Sequence, residues 1–130
     1  ACRSGEYDVI VVNFANGDMV GHTGVFEAAV KAVKTLDRLL SEIMPPSLEA
    51  GTTWLVTADH GNCDEMLDAN GKVLTQHSLS RVPFVVAGKD FEGRTDAIAE
   101  RDWGLADIAP TVLSLLGVEK PYQMTGQSII

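Results

Sequence analysis

An α/β layered fold, with a mainly parallel sheet and helices on both faces, is what this sequence predicts, and three observations predict it. Three short β-branched, apolar runs of the buried-strand type occupy residues 8–14, 52–57 and 82–87. A long stretch of helical apolar spacing separates the first two, and a shorter one follows the third. Strands alternating with helices favour parallel pairing, because a parallel neighbour is reached by a crossover that is usually helical and right-handed.

The elements follow in order. Residues 8–14 (DVIVVNF) are apolar without alternation, as in a strand covered on both faces, and run into the turn composition Ala15-Asn16-Gly17-Asp18. Residues 25–44 place Val30, Val33, Leu36, Leu40 and Ile43 along one stripe, with Lys31, Lys34, Asp37 and Arg38 largely off it. Pro45-Pro46 is expected to stop that helix, since proline lacks the N–H of the helical ladder. Residues 52–57 (TTWLVT) read as a second strand entering the polar loop Ala58-Asp59-His60-Gly61-Asn62. Gly71 suggests a hairpin turn, but residues 70–79 otherwise have no assigned form. Residues 82–87 (VPFVVA) form the third strand, and residues 105–116 a short helix closed by Gly117 with Pro121 beyond. A chain of 130 residues suits one domain, but three or four strands are a modest core for a doubly wound fold. Further strands are therefore expected from chain upstream.

Composition narrows the function classes. At 45% hydrophobic and 22% charged the chain is of ordinary globular type. Eighteen acidic against ten basic side chains give a net charge of −8, which disfavours nucleic acid and anionic membrane as partners. No apolar run reaches the roughly 18 residues of a spanning helix, and the first residues lack a signal-peptide core, so a cytoplasmic protein is expected. Cys2 and Cys63 have no metal-finger spacing and are expected to be free thiols.

The chemistry is concentrated in three histidines, His22, His60 and His77, each in a polar loop beside strand-like sequence. Asp18 precedes His22 by four residues and Asp59 adjoins His60. Aspartate with neutral imidazole suits manganese, zinc, iron or cobalt, whereas calcium prefers oxygen alone. The i, i+4 spacing would put Asp18 and His22 on one face of a helical turn, while Gly17, Gly21 and Gly24 favour an irregular loop; either lets both reach one ion. The same residues are also compatible with solvated loops that bind nothing. Thr23 and Ser78 read as hydrogen-bonding neighbours of ligands, not as nucleophiles, because no nucleophile-elbow sequence surrounds them. No glycine pattern for a nucleotide is present. Trp54 is read as core and Trp103 as loop packing.

Residues 13–24 (NFANGDMVGHTG) resemble a signature of the cofactor-independent phosphoglycerate mutases. Residues 57–62 (TADHGN) resemble their second signature, and His77-Ser78 follows it ahead of Val82-Pro83-Phe84. Residues 105–111 (LADIAPT), Leu116-Gly117 and Met124-Thr125-Gly126 are similar to the family's closing stretch. The resemblance implies an alkaline-phosphatase-like fold of which residues 1–130 are the C-terminal portion of the metal-binding domain. It implies that Asp18, His22 and His77 hold one manganese ion, and that Asp59 and His60 hold part of a second. Such enzymes, usually monomeric, interconvert 3-phosphoglycerate and 2-phosphoglycerate through a phosphoserine intermediate. The serine nucleophile and the substrate domain are then expected upstream, so this chain carries no catalytic nucleophile and is expected to be inactive alone. The competing readings are another metalloenzyme of that superfamily, either a phosphatase or a phosphopentomutase, and a non-catalytic metal-binding module.

Overall fold

The computed structural model describes residues 1–94, 98 and 101–130. The chain divides into two compact units, Ala1–Lys89 and Asp90–Ile130, where the length alone suggested one core.

In the first unit, helix α1 spans Asn16–Gly21 and helix α2 spans Phe26–Glu49. The two pack on each other. The most buried positions of α2 are Ala29, Ala32 and Ser47, whereas Val33 and Ile43 of the anticipated stripe are exposed. Small side chains let α1 approach closely, and the space an added methyl at Gly17 would occupy already touches Leu36 of α2. The packed face is thus centred on alanines, a few tens of degrees from the valine stripe.

Pro45 and Pro46 do not stop α2, which continues to Glu49. The carbonyls that lose their partners, those of Ser41 and Glu42, belong to exposed residues that water can reach. Buried Ser47 then fixes the last turn: its hydroxyl reaches the carbonyls of Ile43 and Met44 and accepts the indole N–H of Trp54 at 2.6 Å. That contact also makes Trp54 a packed residue, as its sequence context suggested.

Strands β1 (Trp54–Thr57) and β2 (Phe84–Ala87) fall inside the second and third anticipated runs. They pair antiparallel, with Trp54 opposite Ala87 and Thr57 opposite Phe84, which corrects the parallel expectation. The cause lies between them. Residues 58–83 contain no helix; they fold back through two nested antiparallel bridges, Gly61 with Ser78 and Leu67 with Val73, so the chain returns beside itself instead of crossing over. At the tip, Asp68 accepts the backbone N–H groups of Asn70 and Lys72, which makes the turn at Gly71 foreseen in the sequence.

Residues 8–14 form no strand: among the described residues they have no ladder partner, and Val11 is 89% exposed. β-Branched sequence fits a pleated, covered surface, and without a neighbouring strand it makes no ladder.

In the second unit, a single 3-10 turn at Leu105–Asp107 leads into helix α3, Ile108–Leu115. Together they realise the expected helix of residues 105–116. Gly117, at φ 66°, ends it: the N–H groups of Gly117 and Val118 close onto the carbonyls of Ser114 and Leu113. The core here is polar at its centre. Thr111 is fully buried, and Asp107 accepts the backbone N–H groups of Gly104 and Gln127, tying the C-terminal segment to the turn that leads into α3. No helix among the described residues is long and apolar enough to cross a membrane.

Candidate metal centre

All the histidines meet in the first unit, around a single oxygen. Asp18 sits in α1, and His22, four residues on, caps its C-terminus; the helical alternative of the two local geometries is therefore the one adopted. Oδ1 of Asp18 lies 3.0 Å from Nε2 of His22, 3.2 Å from Nε2 of His77 and 3.9 Å from Nε2 of His60. The rings of His60 and His77 stack with centroids 3.6 Å apart, and His22 tilts against His77 at 5.1 Å.

Each ring is delivered by a feature already described. His60 follows the end of β1, and His77 is carried back to it by the Gly61–Ser78 bridge, whose N–H to carbonyl bond measures 2.9 Å. The Ser78 hydroxyl donates to both oxygens of Asp64, at 2.8 and 3.1 Å. Hydrogen bonds from Ser80 and Ser78 hold the Asp64 carboxyl below the usual aspartate range, so it remains an anionic anchor for the His77 loop. Ser78 thus supports the loop. The Thr23 hydroxyl turns away to the carbonyl of Val20 and closes α1 locally, so it touches no histidine in the way the sequence suggested.

Ring orientation decides what the cluster can do. Nδ1 of His22 lies 2.6 Å from the carbonyl oxygen of Thr75, and Nδ1 of His60 lies 3.3 Å from that of Gly61. A carbonyl only accepts, so in each case Nδ1 carries the hydrogen, and the nitrogen available to a metal ion is the inward-facing Nε2. An Nε2 lone pair turned toward a carboxylate oxygen is a place for a shared cation. The donor set of one carboxylate and several imidazoles fits a first-row divalent ion. Asp18, His60 and His77 can each offer one atom, all within 4.8 Å of one another; His22 lies outside that set, with its Nε2 3.0 Å from Oδ1 of Asp18.

The grouping is tighter than two separate ligand sets. Nε2 of His22, of His77 and of His60 all approach Oδ1 of Asp18, while Asp59 stays 83% exposed with Oδ1 3.7 Å from Nε2 of His60. The Asp18 carboxyl is held below its usual range, first by the side-chain amide of Asn62 and then by the three imidazoles, with burial opposing. Asn62, Asp64 and the Thr75 carbonyl were not singled out in the sequence. Asn62 directly follows the Asp-His-Gly run and could have been questioned there; a backbone carbonyl 53 residues from the ring it orients leaves no sequence signal.

Cys2 and Cys63 are both free. Burial, with the charges of Asp64 and Asp18, pushes the Cys63 thiol up, so it stays protonated and donates to the Gly17 carbonyl at 3.0 Å.

A family model described as the metalloenzyme superfamily matches residues 1–120, and the chain belongs to that superfamily. Its curated relatives narrow the class further. The chain is 51% identical to the 2,3-bisphosphoglycerate-independent phosphoglycerate mutase of Pseudomonas fluorescens and 48% identical to that of Rhodopirellula baltica. These alignments take in 100% and 98% of this chain but 25% and 23% of those enzymes, so the chain spans about a quarter of their length. A crystal structure of Leishmania mexicana phosphoglycerate mutase at low cobalt concentration is similar over 99% of this chain and 26% of that one, at 36% identity and a TM-score of 0.79. The α/β fold is therefore that of one part of a phosphoglycerate mutase.

Proposed function

We propose that this chain is the metal-ligating C-terminal part of a 2,3-bisphosphoglycerate-independent phosphoglycerate mutase. Such an isomerase interconverts 3-phosphoglycerate and 2-phosphoglycerate in glycolysis, in the cytoplasm, through a phosphoserine intermediate. The observation that carries this reading is the convergence of three imidazole Nε2 atoms on Oδ1 of Asp18.

Two divalent ions, manganese in the first place, are the cofactors. Asp18, His22 and His77 would hold one, and His60 with Asp59 would contribute to the other. When bound, such ions hold phosphoryl oxygens, lower the pKa of a serine hydroxyl and offset the charge that develops in phosphoryl transfer. This chain's residues supply the frame for that chemistry. Thr75 and Gly61 fix the tautomers of His22 and His60, Asp64 holds the loop bearing His77, and Asn62 holds the Asp18 carboxylate. The nucleophile and the groups that bind the glycerate are supplied by the remainder of such an enzyme.

The test is turnover of 3-phosphoglycerate by the full-length protein carrying this chain, with manganese and without added 2,3-bisphosphoglycerate. Turnover abolished by His77→Ala, and no turnover by the 130-residue chain alone, is the expected result. A manganese-replete full-length protein that is inert, or that needs the bisphosphate, overturns the proposal.

A further inference from the structure

Asn62 is a polar side chain with only 8% of its surface exposed, in a loop that is otherwise open. Its Nδ2 donates to Oδ1 of Asp18 at 2.8 Å. A carboxylate only accepts, which fixes the amide: nitrogen toward Asp18, oxygen toward the backbone of α1. There the oxygen meets Gly21. A Cβ at Gly21 would lie 2.1 Å from Oδ1 of Asn62, 2.7 Å from its Cγ and 3.2 Å from Sγ of Cys63. The two separations to Asn62 are overlaps, so residue 21 must be glycine for the amide to sit where it does.

The two residues thus form one device. Gly21 lies one turn after Asp18 and just before His22, and the groove it leaves on α1 admits the amide that grips Asp18. We infer that Asn62 is the positioning residue for the Asp18 carboxylate, and that Gly21 is the seat that lets it act. Resting on the metal-centre reading, this says that Asn62 occupies one lone pair of Oδ1 and leaves the other directed at the imidazoles, so Asp18 binds through one fixed oxygen. Without the amide, the carboxylate is free to rotate about χ2 and present both oxygens or neither.

Partners that orient a ligating group are worth about 10- to 100-fold in metal affinity. The experiment is calorimetric titration of the chain with manganese, for wild type, Asn62→Ala, Gly21→Ala and the double variant. Thermal unfolding of the metal-free forms and the visible spectrum of each cobalt-saturated form accompany it. Each single variant is expected to lose about 10- to 100-fold in affinity and the double variant no more than the worse single one, because a Gly21 whose role is to seat Asn62 has nothing left to do once the amide is gone. Alanine is the better helix former, so a loss on Gly21→Ala does not arise from helix propensity. A changed cobalt d–d spectrum at saturation is expected as well, since a purely structural role would lower the unfolding temperature and leave the bound ion's geometry alone.

Unchanged affinity and spectrum in Asn62→Ala overturn the inference, and so do fully additive losses in the double variant. If Asn62→Ala does not fold, Asn62→Ser, too short to span to Asp18, takes its place with the same expectations. A folded wild type that binds neither ion overturns the metal reading, and this inference with it; binding by wild type with indifference of the variants overturns the positioning role alone.

Discussion

The indole N–H of Trp54 donates to the hydroxyl of Ser47 at 2.6 Å, so the first residue of β1 holds the last turn of a helix that contains two prolines. Ser47 also donates to helix carbonyls, and the two ends of this contact are therefore unequal. Trp54→Phe removes a donor and leaves Ser47 bonded to Ile43 and Met44. Its net hydrogen-bond loss is about 0.5–1.5 kcal/mol. Ser47→Ala instead strands a half-buried indole N–H and frees the last turn, at about 1–3 kcal/mol. Urea unfolding midpoints should rank wild type above Trp54→Phe and Trp54→Phe above Ser47→Ala. The reverse order would mean that indole packing, not the hydroxyl, holds the turn.

In the second unit the buried hydroxyl of Thr111 works in both directions. It donates to the Asp107 carbonyl at 2.7 Å and accepts the Ile129 N–H at 2.9 Å. Thr111→Val preserves shape but leaves that buried N–H without a partner, at an expected cost of about 1–3 kcal/mol. Hydrogen exchange gives a local reading: the Ile129 amide should lose protection by more than amides of the first unit. Uniform loss across the chain would show that the bond does not act locally.

Acid should act on this unit through Asp107. The backbone N–H groups of Gln127 and Gly104, with a smaller contribution from Arg101, hold its carboxyl below the ordinary value of 3.8 against the effect of burial. The unfolded chain therefore takes up this proton at a higher pH than the folded one. The stability Asp107 contributes is fully present above its ordinary value and is lost as pH falls from there through the lowered folded value. Asp107→Asn should be less stable than wild type at neutral pH and should show a flatter acid limb, followed by Trp103 fluorescence against urea. Parallel limbs for the two proteins would remove Asp107 from the acid response.

Much of this was legible because it is local. The strand residues Trp54–Thr57 and Phe84–Ala87, the start of α2, the turn at Gly71 and the stop at Gly117 follow from composition within a few positions of each. Strand direction is not local. It follows from what joins β1 to β2, and the absence of helical spacing in residues 70–79 was the sequence's only sign that no crossover runs there. Pro45 and Pro46 misled because proline's local cost was offset by a contact from Trp54, seven residues beyond Ser47. At the centre, the aspartates and histidines were legible by chemical type, and Asp18 with His22 by spacing as well. That His60 approaches the same oxygen as His22 and His77 depends on the Gly61–Ser78 bridge, which pairs residues 17 apart.

Metal should stabilise the fold unequally through these ligands. An ion that binds the folded chain alone adds RT ln(1 + [L]/Kd), about 2.7 kcal/mol at a hundredfold excess over Kd. Asp18 is the shared oxygen and His77 stacks on His60, so Asp18→Ala and His77→Ala should each lose most of the manganese-induced rise in unfolding temperature. Asp59 is largely exposed and touches the cluster only through His60 at 3.7 Å, so Asp59→Ala should retain most of it. His22 lies between these cases: its Nε2 approaches Asp18 most closely, but the Thr75 carbonyl that orients it belongs to the hairpin leading to His77. His22→Ala should therefore lower the metal-induced rise and also loosen residues 72–78, seen as faster amide exchange there without metal. Differential scanning with and without manganese separates the outcomes. Equal losses for Asp59→Ala and His77→Ala would mean that an ion held by His60 and Asp59 stabilises the fold as much as one held by Asp18, His22 and His77.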